Sequence, residues 1–205
     1  MSRRSRCLLL VALVAVMAGS FVGCSTAGEA SFDPTGPCSV DGRRAGAYPD
    51  LEARIPRALD GAPPARLDSG RNCSPSRLGT LASHGLEEVR FAGGLWETDR
   101  RSGVTIAVFE APGLTVERLA EFYETGARGA RKTESITTSP FRLGTAQGRR
   151  LDTLNDVSFQ SILVLPAAEP EQVLAVLVAS NVREAESRAD HDALVERAVE
   201  AALAG

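Results

Sequence analysis

The sequence predicts an α+β fold in which helices flank an antiparallel sheet of about five to six strands. Three observations carry that expectation. Apolar residues alternate with polar ones at Val89, Phe91 and Leu95, and again at Val104, Ile106 and Val108, around a turn-forming Asp99-Arg100-Arg101-Ser102-Gly103. This is the pattern of a hairpin with one buried face. Val116, Leu119, Ala120, Tyr123 and Ala127 recur at helical spacing. Residues 173–178 are an unbroken apolar run, suited to a central strand covered on both faces.

In chain order, Pro49 opens a short helical pattern through Leu51, Ile55 and Leu59, interrupted by Pro56, which cannot sit in a helix interior without cost. Residues 61–70 have loop composition. Ser74-Pro75 supplies a capping serine and a proline at the first helical position; Leu78, Leu81 and Ala82 form the apolar face, and Gly85 the stop. The hairpin follows, its first strand carrying Gly93-Gly94, the mark of a bulge or of a close approach by another group. Thr115 is placed to cap the helix over 116–127, with Glu117 near its positive end. Residues 133–139, 149–154, 157–165 and 172–179 read as four further strands, and 188–204 as a closing helix with Leu194, Val195, Ala198, Val199 and Ala202 inward. Strands that follow one another through short turns favour antiparallel pairing. The element order is similar to the PsbP-like fold. That resemblance rests on no residue motif and implies no activity.

The first 24 residues carry an address. Arg3, Arg4 and Arg6 precede an uncharged apolar run over 8–18, and Phe21-Val22-Gly23 then leads into Cys24. A basic start followed by a short apolar stretch reads as a secretory signal; the run falls short of the roughly 20 residues that a membrane-spanning helix needs. Its end resembles the lipobox of bacterial lipoproteins, with Phe21 where that family most often has leucine. The resemblance implies a signal peptide over 1–23 and a diacylglycerol anchor on Cys24, at the extracytoplasmic face of the membrane. Cleavage after Ala27 is the alternative, and it yields a secreted protein. Residues 24–48, rich in small and polar residues, read as the anchored terminus and a flexible tether, leaving 49–205 as one globular domain.

Of four cysteines, Cys7 lies in the signal and Cys24 takes the lipid. Cys38 and Cys73 remain, and an even pair in an exported chain suggests a disulfide. No cysteine or histidine cluster has ligand spacing, so neither a metal nor a cofactor is expected. The formal charge is −3, and it falls to −6 once residues 1–23 remove three arginines and no acid. An acidic domain lacks the basic footprint of a nucleic-acid binder. Membrane contact is therefore assigned to the anchor itself.

Chemistry-bearing residues are few. Ser69-Gly70-Arg71-Asn72-Cys73-Ser74 combines hydroxyls, an amide and a guanidinium beside a helix start, where backbone N–H groups favour anions. Ser69, Arg71 and Asn72 are therefore a candidate ligand or anion site, with Trp96 lining a groove if it points outward. The alternative is a disulfide-pinned turn leading into a capped helix, with Trp96 in the core. His84 suits the negative end of a helix. His191, between Asp190 and Asp192, has carboxylates that could orient it as a base, but its flanks read as a solvated helix face. Asp152 and Asp156 form either an acid–base pair or a turn. No catalytic residue is assigned. The expected function is a non-enzymatic envelope lipoprotein that binds an apolar ligand, a cell-wall component or a protein partner. The alternative is an envelope hydrolase with a dispersed site, in which a serine lies within reach of His84 or His191.

Overall fold

A computed structural model describes residues 32–98, 102–131, 133–155, 158–181 and 188–205. The strands are β1 (Gly42–Arg44), β2 (Arg66–Asn72), β3 (Val89–Glu97), β4 (Gly103–Glu110), β5 (Ser135–Leu143), β6 (Ala146–Leu154), β7 (Ser158–Pro166) and β8 (Gln172–Asn181). They form one eight-stranded sheet in the order β1-β2-β3-β4-β8-β7-β6-β5, antiparallel at every pair. The helices are α1 (Pro49–Glu52), α2 (Pro75–Leu78), α3 (Thr80–Ser83), α4 (Val116–Gly129) and α5 (Arg188–Ala204).

This corrects the expected α+β fold of five to six strands. The molecule is richer in β structure, and three of its helices are single turns. Two strands escaped the pattern for a physical reason. Gly42–Arg44 has no apolar residue, and Arg66–Asn72 has only Leu67, because its buried positions include Ser69 and Arg71. The helix expected after Ser74 is broken by Gly79, whose φ of 53° lies in the left-handed region. The pattern from Pro49 stops at Glu52, ahead of Pro56.

Two meanders, β1–β4 and β5–β8, are joined through α4, so that β4 and β8 meet at the centre. Both faces of the sheet are covered. On one face Val104, Ile106, Val108, Leu174, Val176 and Val178 pack under α5 and the segment from Ala47 to Leu59. On the other, Ala107, Phe109, Val173 and Ala175 pack under α3 and α4. The strictly apolar β8 follows from this: a strand with a core on each side has no solvated face to fill.

Gly93-Gly94 is a close approach and not a bulge, since the β3–β4 register runs through it unbroken. A Cβ on Gly94 would stand 2.7 Å from the Trp96 ring and 2.8 Å from Ile55. Gly94→Val is therefore expected to destabilise the protein by about 2–3 kcal/mol through overpacking, read as a lower denaturant midpoint; an unchanged midpoint would contradict this packing.

The tether expected over 24–48 belongs to the fold from Phe32 onward. Phe32 packs against the core, β1 pairs with β2, and Ala47 and Tyr48 are buried. Small and polar composition concealed this because the segment is held by polar contacts to Arg71.

Candidate functional site

Arg71 lies on β2 and is 3% exposed. It donates to the carbonyl oxygens of Gly36 at 2.8 Å, Asp33 at 2.9 Å and Pro37 at 2.7 Å. Glu88 lies 3.6 Å away, and the Phe32 ring covers the guanidinium at 5.9 Å. Beside it, Cys38 and Cys73 are disulfide-bonded, with their Cα atoms 5.6 Å apart. Arg71 is thus turned toward the backbone of this chain. Replacing it with methionine leaves three carbonyls without their charged donor, and a loss of about 2–3 kcal/mol is expected.

The other residues of that candidate site are equally engaged. Ser69 donates to Glu52 at 2.7 Å and accepts from the Tyr48 N–H at 2.7 Å. Asn72 is buried and pairs with Val89. Trp96 is 3% exposed, and its indole donates to the Ala62 carbonyl at 3.0 Å. Trp96 lies six residues beyond Arg90, the partner of Arg71, about 20 Å along the strand. The four residues therefore do not converge.

An anion does sit at the start of α2, and the chain supplies it. The Asp41 carboxylate accepts from the backbone N–H groups of Cys73 and Ser74 and from the Ser74 hydroxyl. Burial acts to raise its pKa, but these bonds outweigh it and hold Asp41 below the usual carboxylate range.

A second cluster joins residues far apart in sequence. His191 is fully buried on α5, facing the sheet rather than solvent. Its Nε2 lies 2.8 Å from the Ser161 hydroxyl of β7, and its Nδ1 2.9 Å from the Ser180 hydroxyl of β8. Ser161 donates to Asp152 of β6. Arg150, also on β6, grips Asp152 through its Nε at 3.0 and 2.9 Å, and reaches Ser161 and Asp192. Arg188 completes the cluster, 3.1 Å from Asp152 and 3.2 Å from Asp192, with its guanidinium 5.6 Å above the Phe159 ring.

The proton positions follow from the donor inventory. A serine has one hydrogen to donate, and that of Ser161 goes to Asp152. Ser161 must then accept from Arg150 and from His191, so the His191 Nε2 carries the hydrogen and its Nδ1 accepts from Ser180. Burial, then Arg188 and Arg150, press the imidazole toward neutrality against the pull of Asp192 and Asp152, and its pKa falls to about 4. Asp192 is held low: the bonds from Arg150 and Arg188 overcome its burial.

A general base needs a bare nitrogen facing the hydroxyl it activates. Here the nitrogen facing Ser161 is a donor, and Ser161 and His191 are both fully buried. The alignment runs opposite to that of a nucleophilic serine. Of the residues singled out from sequence, His191 and Asp152 meet here, while Asp156 lies outside the described residues. His84 is remote from this cluster and pairs with Glu121 of α4 at 2.7 Å. Sequence reasoning missed Arg150, Ser161 and Ser180 as members. One signal was present: His191 falls on the same helical stripe as Leu194, Val195, Ala198 and Ala202.

Two concavities open on the surface. One, of about 240 Å³, lies over this cluster, between Ser135, Thr137, Asp152, Phe159 and Arg188. The other, of about 520 Å³, lies at the start of α4, with Leu114, Val116, Pro166 and Val173 apolar and Glu117, Gln147, Arg149 and Gln172 polar. The charged groups of the first are consumed by one another. In the second, the side chains of Gln147 and Arg149 are exposed, and Arg149 joins Arg128 in holding the Glu124 carboxyl below its usual range. Leu203 is the only exposed large apolar side chain among the described residues. Among them, too, no three His, Cys, Asp or Glu side chains could hold a metal ion, and no helix is long and apolar enough to cross a membrane. Cys24 lies outside the described residues. No protein-family model matches this chain and no curated protein matches its sequence.

Proposed function

We propose that this protein is a cell-envelope lipoprotein, anchored through Cys24, whose domain binds a ligand without catalysing its conversion. The arrangement of Ser161 and His191 supports this most. It is a serine–histidine contact of the kind that a dispersed hydrolase would use, yet the serine proton is committed to Asp152 and the facing imidazole nitrogen is a donor. The cluster fastens α5 to three strands.

The larger concavity is the better binding surface, because Gln147 and Arg149 present exposed donors at its rim. A shortage of exposed apolar side chains favours a polar, acceptor-rich occupant such as a cell-wall fragment over an apolar ligand.

Two experiments test the two halves of the reading. In cell fractionation, the protein is expected with the membrane and Cys24→Ala in the soluble fraction; a soluble wild-type protein sinks the anchor. In titration with soluble fragments of the producing cell's wall, Arg149→Glu is expected to weaken binding at least tenfold while melting is unchanged. Equal affinity of variant and wild type removes this groove as the site.

A further inference from the structure

We propose that the docking of α5 is an acid-released latch whose trigger is His191. The geometry carries the inference. The imidazole is fully buried and both its nitrogens are engaged, one donating to Ser161 of β7 and one accepting from Ser180 of β8. A second proton would turn the acceptor into a donor facing a hydroxyl that already donates to it. Ser180 is itself fully buried, so its displaced hydrogen needs a new partner in a closed interior.

Charge acts in the same direction. The charged groups facing the ring are Arg150 and Asp152 from β6, and Arg188 and Asp192 from α5. β7 and β8 present neutral groups there, namely Phe159, Ser161 and Ser180. Asp190, next to the histidine on α5, is exposed. Two arginines already neutralise two carboxylates. An imidazolium would be a third cation beside them, and the fully buried one, with no carboxylate in direct contact, which a low-dielectric site penalises heavily. Release of α5 relieves both problems by returning the ring to water.

What release uncovers is specific. Leu194, Val195, Ala198 and Val199 of α5 leave the sheet face formed by Ile106, Val176 and Val178. Among the described residues Leu203 alone is a large apolar side chain exposed in the docked state, so the fraction of molecules that present an apolar surface rises in acid. The device requires no anchor and no bound ligand, so it stands independently of the function proposed above.

The sign and size follow from linkage. In the docked state the ring titrates at about 4, and in the released state at its ordinary 6.5. Folding therefore favours the neutral ring: docking is at full strength above pH 6.5 and weakens as pH falls toward 4. Between pH 7 and pH 5 the equilibrium constant for release is expected to rise about 20-fold.

The test is amide hydrogen exchange on the full chain at pH 7 and pH 5, corrected for intrinsic exchange. The expected result is a roughly 20-fold rise in opening confined to residues 188–204, lost in His191→Gln. Glutamine keeps one donor and one acceptor but does not titrate. A rise below threefold, an equal rise across β4 and β8, or a rise that persists in His191→Gln overturns the proposal. Should the variant not fold, the ring of the wild-type protein is titrated by NMR; a midpoint near 4 supports the latch, and one at 6 or above overturns it.

Discussion

Arg150→Met is expected to lower the unfolding free energy by about 3 kcal/mol, at the lower end of the range for breaking a buried ion pair. Arg150 is the hub of the cluster, holding Asp152, Ser161 and Asp192 at once. Its side chain is 17% exposed, while Asp152 and Asp192, at 20% and 39%, keep Arg188 as a partner, which holds the loss to the lower end of that range. Burial acts against its charge, and the bonds from Asp192 and Asp152 more than restore it. For a domain of this size the melting temperature should fall by about 10 °C. Adding Asp192→Asn separates hub from helix: a double-mutant cycle should give a coupling of at least 1 kcal/mol. Additive losses would mean that Arg150 does not tie β6 to α5.

Removal of the disulfide should cost about as much. Cys38→Ser with Cys73→Ser opens a loop with a sequence separation of 35, for which chain entropy gives about 3–4 kcal/mol. The loss should be localised. Phe32 to Asp41 would depend on the packing of Phe32, on Arg71 and Tyr48, and on the Asp41 bonds to Cys73 and Ser74, so exchange protection should fall first at β1 and the start of α2. Chemical reduction should reproduce the double variant. Unchanged melting after reduction would show that Arg71 and Asp41 hold this segment unaided.

How much of this could be read from the sequence depends on what fills each buried position. β3, β4, β8, α4 and α5 were legible because apolar side chains mark their period. β1 and β2 were not, because the positions that β2 buries include a serine and an arginine whose partners are backbone carbonyls, a glutamate and a tyrosine N–H more than a dozen residues away. The break between α2 and α3 turns on one glycine, which composition alone does not separate from a tolerated helix glycine.

The cluster around His191 was half legible. Helical periodicity places the histidine among inward residues, but the flanking Asp190 and Asp192 led to the reading of a solvated face, which its full burial corrects. Its partners come from three strands brought together by topology, at sequence separations that no local pattern encodes: Ser180 at 11, Ser161 at 30, and Arg150 to Asp192 at 42. At Ser69 to Ser74 the sequence left a ligand site and a disulfide-pinned turn both open, and the helix start is met by the Asp41 carboxylate. Only the register of Asp41 against Cys73 and Ser74 reveals that the chain provides this anion.

The distinction between a fastening cluster and a catalytic one rests on a single hydrogen. Nitrogen-15 NMR of the His191 ring at pH 7 reads its position. The account predicts a neutral imidazole protonated at Nε2, with Nδ1 as acceptor. A ring protonated at Nδ1, leaving Nε2 bare toward Ser161, would contradict it and favour the alternative reading of a hydrolase.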